Sequence, residues 1–528
     1  MRKGNHRFFT AVFGLLCSAL TAMSPSAVAQ NKPAAVHAPR AGEPIKLAES
    51  QLELFIDRYL IERMDGVGLR LNHPVDMGPA ITFDAPWEGK YVIFGTVIKD
   101  GAVYRMYYRG KPTHQPSGAN DERTCYAESS DGIRWTRPDL GLYEVNGTRK
   151  NNVILDGSFS PIPSNFSPFL DARPGVPPEE RYKALGGRLS GKNGLIALVS
   201  PDGIHWKKLA EAPVISGEQH YPTGTDPSLE PAFWSESEKC YVAHLRTRTS
   251  IAEADAARSE PGRRVPPVRG GDMRWIGRTT SPDFAQWSKV EMMDYVSPPS
   301  EQIYNNATSP YFRAPHLYIG LAARIMFGRQ VITKEQGVSI GVDPEYVNDC
   351  SESVLFTSRG GTHYERTFLE ALIRNGAGPE DWTSRSNYPA LNIVPTGPKE
   401  MSMYVHKGYG QPSARLQRYK FETDRLASVN APFSGGEFVT KPLIFSGKNL
   451  VLNFATSVAG SVRVELQKAS GEPMPGHALA DAVEMTGNEI ERAVSWKKGS
   501  DISVASGVPV RLRFVMKEAD VYALRFVP

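Results

Sequence analysis

Four acidic residues stand where a carboxylate could do chemistry. Asp84 and Glu88 lie in Phe83-Asp84-Ala85-Pro86-Trp87-Glu88-Gly89, Asp171 in Phe169-Leu170-Asp171-Ala172-Arg173-Pro174, and Glu230 in Glu230-Pro231-Ala232-Phe233-Trp234. Two carboxyl groups facing each other in a recess drive their pKa values apart, so one stays a proton donor while the other acts as base or nucleophile. Glycosidic cleavage needs that division: one acid protonates the leaving oxygen, and one carboxylate attacks or activates water. Each acid also has a plainer use, because an Asp side chain often closes its own turn. Downstream, Glu301, Asn305, Arg313, His316, Arg324 and Arg374 belong to a polar and aromatic stretch that opens with Glu301-Gln302-Ile303-Tyr304-Asn305-Asn306. Amides suit sugar hydroxyls, rings stack on pyranose faces, and the arginines could hold a carboxylate or sulfate on a charged sugar. The same arginines could instead bridge strands through backbone carbonyls. The chain has no Cys-x-x-Cys, His-Glu-x-x-His, calcium-loop, Walker or dinucleotide-glycine pattern, so no metal or cofactor is expected.

These residues are carried by a repeat. Ser-x-Asp-Gly-x-x-Trp occurs at Ser129–Trp135 and Ser200–Trp206, and with Phe284 in the Gly position at Ser281–Trp287. Decayed copies follow at Ser358–Tyr364 and Thr423–Leu426. The Asp or Gly positions 131, 202, 283, 360 and 424 are 71, 81, 77 and 64 residues apart. An aromatic strand precedes each copy, as in Met106-Tyr107-Tyr108, Tyr182, Tyr241, Tyr318 and Tyr404. A long, nearly fixed period means one supersecondary unit used repeatedly. Five such units, rich in short strands and Gly, Pro, Asn and Asp turns, predict an all-β fold with a five-bladed β-propeller over residues 46–430. Leu52–Leu60 is expected to complete the last blade, and a short helix is conceivable near 250–259. Asp131, Asp202 and Asp283 are read as turn-closing residues and their Trp partners as packing between blades.

After about residue 434 the texture changes to longer alternating strands, such as Ser461-Val462-Arg463-Val464-Glu465-Leu466 and Val521-Tyr522-Ala523-Leu524-Arg525-Phe526. Residues 435–528 are expected to form a β-sandwich, a stabilising or sugar-binding accessory domain.

The first 29 residues read as a signal peptide. Arg2, Lys3 and Arg7 precede an apolar run, and Ala27-Val28-Ala29 offers small residues for cleavage before Gln30. A secreted or periplasmic protein without membrane attachment is expected, with residues 30–45 as a disordered lead-in. The formal charge is +4; without the three leader cations it is +1. That near-neutrality argues against a nucleic-acid partner. Cys125, Cys240 and Cys350 remain, an odd and small number, so stability must come from core burial rather than disulfides.

A secreted five-repeat propeller followed by a sandwich resembles the invertase, levansucrase and arabinanase group of glycoside hydrolases, families 32, 43 and 68. That group sets three carboxylates on the inner strands of the first three blades. The resemblance implies Glu230, in its Glu-Pro context, as general acid. It implies Asp171, in a stretched Arg-Asp-Pro-like segment, as transition-state stabiliser, and Asp84 as nucleophile or base, with Glu88 as the alternative to Asp84 and also a candidate substrate contact. The Asn-Asp-Pro signature of invertases is absent. The Asp turns also echo those of sialidases, which use an arginine triad with a Tyr–Glu pair, normally on six blades. The expected partner is a carbohydrate. The expected activity is hydrolysis of an oligo- or polysaccharide, with a non-catalytic lectin-like propeller as the alternative.

Overall fold

The computed structural model describes residues 43–114, 119–188, 194–216, 228–250, 272–295 and 301–528. The leader, the lead-in to residue 42 and, from residue 251 on, the conceivable helix lie outside the described residues. The regular secondary structure that is described is almost wholly strand. The α-helix Lys334–Ser339 and a few 3-10 turns are the exceptions among the described residues, and no described helix is long and apolar enough to cross a membrane.

Five antiparallel sheets form the blades of a propeller. Their first strands are Ile93–Asp100, Ser167–Leu170, Ala232–Ser235, Ile303–Tyr311 and Tyr388–Pro389. Each first strand lies against the first strand of the next blade, and the fifth returns to the first, so these five line the axis. The next strand of each blade steps outward: Val103–Gly110, Tyr182–Gly187, Cys240–Ser250, Ala314–Met326 and Glu400–Lys407. All the innermost strands therefore start at one face of the ring, where the second strands end and the third strands begin.

The repeat motif does what its residue types dictate. Asp131 Oδ1 accepts from the backbone N–H of Ile133 at 2.8 Å and Arg134 at 2.9 Å. Asp202 and Asp283 repeat this with Ile204 and His205, and with Ala285 and Gln286. The residue after the Asp is left-handed, with φ of 70° at Gly132, 77° at Gly203 and 68° at Phe284. At Gly132 a Cβ would also approach the Tyr104 ring at 3.0 Å, so glycine is required there by both conformation and space. Trp206 packs edge-on to Phe166 and Tyr107, and Trp135 to Tyr404, which fastens blade 2 to blade 1 and blade 1 to blade 5. Cys125, Cys240 and Cys350 are buried free thiols.

The ring closes differently from the expectation. The outermost strand of blade 5 is Val75–Thr82, which pairs antiparallel with Arg415–Glu422. Its residues are mostly exposed and it contains Gly78-Pro79; proline is tolerated there because only an edge strand can spare the donor. Leu52–Leu60 does not close the propeller. Glu53–Leu54 pairs with Ala523–Leu524, and Ile61–Asp65 with Glu437–Thr440. The reason is visible in its alternation. Leu52, Leu54 and Ile56 pack into the propeller core, while Phe55, Leu60 and Ile61 pack with Phe438 and Phe514. The segment is apolar on both faces because it is sandwiched between two cores. Residues 45–71 therefore join the C-terminal strands in a ten-stranded sheet, built on Asn449–Lys468 and Val510–Val527.

Candidate active site

The structure separates the acids that the sequence grouped together. Glu230 lies two residues before the inner strand Ala232–Ser235, at the face where inner strands start. Its backbone N–H reaches Ser167 Oγ at 3.2 Å, which ties it to the start of the neighbouring inner strand. Asp171 follows the end of that neighbouring strand. At ~3.3 Å per residue it is about 13 Å further along the axis, on the opposite face. There it accepts from Tyr241 Oη at 2.6 Å and pairs with Lys183 at 3.3 Å, and its other oxygen closes the turn at Arg173 N. Asp84 follows the outermost strand of blade 5. Its side chain is 75% exposed and paired with Arg137 at 3.3 Å. The expected triad of Asp84, Asp171 and Glu230 is thus not brought together.

Most of the expected substrate contacts hold the fold. Glu88 is fully buried. It accepts from Tyr108 Oη at 2.5 Å, from Arg137 at 2.8 and 3.1 Å, and from Ala85 N at 3.0 Å. Glu301 clamps Arg324 and Arg366, and Arg324 also pairs with Glu352. Asn305 donates to Pro389 O at 3.0 Å, linking the inner strands of blades 4 and 5. Arg313 is committed to Asp424 and Glu491, and His316 to Glu53 at 2.7 Å. Arg374 is exposed.

What the structure gathers around Glu230 is a group of arginines and tyrosines. Glu230 is 1% exposed. Its Oε2 accepts from Arg246 N at 3.0 Å, and among the described residues no hydrogen-bond partner is found for the buried Oε1. Burial pushes its carboxyl up from 4.5 to about 8, against the opposing pull of Arg246 and of backbone N–H groups. The Arg246 guanidinium donates to Tyr304 O at 3.2 Å and lies 4.7 Å from the Tyr304 ring centroid. Arg274 lies 5.0 Å and Arg385 5.7 Å from the same ring. Burial works to raise the Tyr304 phenol, but Arg385, Arg246 and Arg274 outweigh it and bring it down to about 7. Tyr388 packs against Tyr304 at 5.3 Å between centroids.

Local backbone irregularities aim these side chains. Ile303 pairs with Arg324 and Asn305 with Ala323, so Tyr304 is the extra residue of a β-bulge at the mouth of the inner strand. Bulges of this sort re-aim a side chain. Arg385 and Asn387 are left-handed at φ 62° and 63°, a strained conformation for residues bearing a Cβ. Arg385 donates to Tyr346 Oη at 3.2 Å and Tyr409 Oη at 3.4 Å. Tyr346 in turn meets His114 Nε2 at 2.9 Å, and the His114 ring stacks on Tyr91. Blades 1, 3, 4 and 5 all contribute. Among the described residues no group of three or more His, Cys, Asp or Glu is placed to hold a metal ion.

No protein-family model matches the chain, and no curated relative matches it. Among solved structures it is similar to a glycoside hydrolase at 10% identity and TM-score 0.41, over 66% of this chain and 92% of that one. It is also similar to an N-acetylgalactosamine deacetylase from F. plautii in complex with blood group B trisaccharide (13%, TM-score 0.40, 68% and 96%). A third is the GH93 α-L-arabinofuranosidase of Fusarium graminearum in complex with arabinobiose (10%, TM-score 0.36, 66% and 98%). Likeness of this degree decides neither family nor activity.

Proposed function

We propose that the chain is an exported glycoside hydrolase, with Glu230 as acid/base and Tyr304 as nucleophile, and that its C-terminal strands form an accessory β-sandwich. One observation carries the reading: Arg246 holds the Glu230 carboxyl through its backbone N–H and faces Tyr304 with its guanidinium. The pair has crossed proton affinities. A carboxyl raised to about 8 keeps its proton at neutral pH, and a phenol lowered to about 7 is about half phenolate there. A tyrosine nucleophile is an attested departure from the two-carboxylate scheme. In the first step Tyr304 Oη bonds to the anomeric carbon while that carbon's bond to the leaving oxygen breaks, and Glu230 protonates that oxygen. In the second step water displaces Tyr304, and Glu230 takes the water's proton. Two displacements give net retention.

The test is hydrolysis of aryl and natural glycosides by Glu230→Gln and Tyr304→Phe, beside the wild type. Glu230→Gln should lose activity most on poor leaving groups, since general-acid help is worth about 10²–10⁴-fold there. Tyr304→Phe should be inactive on both. Full activity in Tyr304→Phe refutes the assignment. The separation of Asp84 and Asp171 from Glu230 favours a second reading, a carbohydrate-binding propeller without catalysis. Binding of a glycan with no turnover by the wild type would establish it.

A further inference from the structure

Four blades each hold one buried polar atom without a partner at nearly the same level of the ring. The atoms are Asn165 Oδ1, Glu230 Oε1, Asn305 Oδ1 and Tyr388 Oη, on residues no more than 1% exposed. Among the described residues none of these atoms has a hydrogen-bond partner. Asn165 and Glu230 lie two residues before the inner strands of blades 2 and 3. Asn305 and Tyr388 are the third and first residues of the inner strands of blades 4 and 5. Hydrogen bonds between neighbouring blades fix their relative heights. Glu230 N donates to Ser167 Oγ, Ser228 Oγ to Tyr304 O at 2.9 Å, and Asn305 Nδ2 to Pro389 O. Stepping along these links puts all four side chains within about two residues of one another along the axis, or about 7 Å.

The hydrogen-bonding role of each atom is fixed by what its own side chain already does. Asn165 Nδ2 donates to Gly187 O at 2.8 Å and Asn305 Nδ2 to Pro389 O. A carbonyl cannot donate, so neither amide can flip, and each leaves Oδ1 as an acceptor. Glu230 Oε2 accepts from Arg246 N, so the proton that burial keeps on this carboxyl sits on Oε1. Burial also holds the Tyr388 phenol well above 10, and its hydroxyl remains a donor. The level thus offers two acceptors and two donors. Buried polar groups left unpaired are rare and costly, and four together on four separate strands call for a partner. A cation would meet the donors and an anion the acceptors, whereas a hydroxyl group both gives and takes.

We propose that Asn165, Asn305 and Tyr388 read the hydroxyls of one neutral sugar unit, whose glycosidic oxygen faces Glu230 Oε1. The proposal rests on the assignment of Glu230 and Tyr304 to catalysis, but binding is read apart from turnover.

The experiment is titration calorimetry of full-length Tyr304→Phe, which that assignment makes inactive, with the neutral trisaccharides of glucose, mannose, galactose, xylose and arabinose. At least one should bind, with an affinity that does not fall as salt is raised, since no charge is paired. Adding Tyr388→Phe removes only a hydroxyl that bonds to nothing in the fold. It should weaken that trisaccharide by about three- to tenfold, the scale of one neutral hydrogen bond, and the free protein should melt no lower than its parent. Adding Tyr107→Phe instead is the control. The Tyr107 hydroxyl is also unpartnered among the described residues, but its ring is packed among Tyr126, Phe166 and Trp206 between blades 1 and 2. It should leave the affinity unchanged. Failure of every trisaccharide to bind overturns the proposal. So does equal affinity with and without Tyr388→Phe, which would leave buried water as the partner of these atoms. A lower melting point in Tyr388→Phe would show the hydroxyl already bonded within the fold, with the same consequence. If the trisaccharide binds and weakens as expected but the wild type cleaves no glycoside, the hydrolase reading fails and the sugar site stands.

Discussion

Replacing Glu230 by Gln should stabilise the protein at alkaline pH while removing its proton donor. The buried carboxyl is held at about 8 in the folded chain against 4.5 unfolded. Below 4.5 both states carry the proton, so the group adds no pH dependence. Between 4.5 and 8 the unfolded chain releases it and the folded chain keeps it, so stability falls by about 1.4 kcal/mol per pH unit. By pH 8 the accumulated penalty is on the order of 5 kcal/mol. Gln has no proton to release and escapes the penalty. For a folded body of roughly 480 residues the unfolding entropy is about 1 kcal/mol per degree, so Glu230→Gln should melt about 5 °C above the wild type at pH 8. At pH 4 the two should melt together. The assay is a pair of thermal melts at matched ionic strength across pH 4–8. A melting difference that does not change with pH would show that Glu230 is ionised in the folded state, and its role as acid would fall.

Two further outcomes follow from the same geometry. Activity on a poor leaving group should peak between about pH 7, where Tyr304 loses its proton, and about pH 8, where Glu230 loses its own. With an activated aryl leaving group the alkaline limb should vanish, and its persistence would count against Glu230. Glu88→Ala should cost about 3 kcal/mol, because it strands the Arg137 guanidinium and the Tyr108 hydroxyl. A melting point a few degrees lower, with activity per folded molecule unchanged, separates this structural role from a substrate contact.

The blade count was legible because each Asp turn is a local device, written in seven consecutive residues such as Ser200–Trp206. Glu230 was legible too, since an acid followed by Pro231 and an apolar run marks the start of an inner strand. Asp171 misled through direction. Ser167–Leu170 runs away from the Glu230 face, so the residue after the strand ends on the opposite side of the ring. Asp84 misled because Val75–Thr82, with Gly78-Pro79 and exposed side chains, does not read as a strand. Once that strand is seen to close blade 5, Asp84 falls on the perimeter. Tyr304 stood in the polar stretch from Glu301 to Asn306, but nothing local singled it out. Its character comes from a one-residue bulge and from arginines at 246, 274 and 385, which only the closed ring brings together.

The closing strand also sets an order of events in time. Thr82 finds its partner at Arg415, and Val75 at Lys420. The strands before it depend on later sequence still, since Leu54 pairs with Ala523 and Leu69 with Val429. While the chain is being made, blades 1 to 4 can assemble from neighbouring strands as they emerge. The strands between residues 53 and 71, however, have no sheet to join until their partners at 427–440 and 523–524 have been made. Until then residues 52–56 must hold two apolar faces in water, one destined for each core. The ring is latched by early residues last, and a chain cut short after blade 5 would leave that doubly apolar ribbon without the second of its two partners.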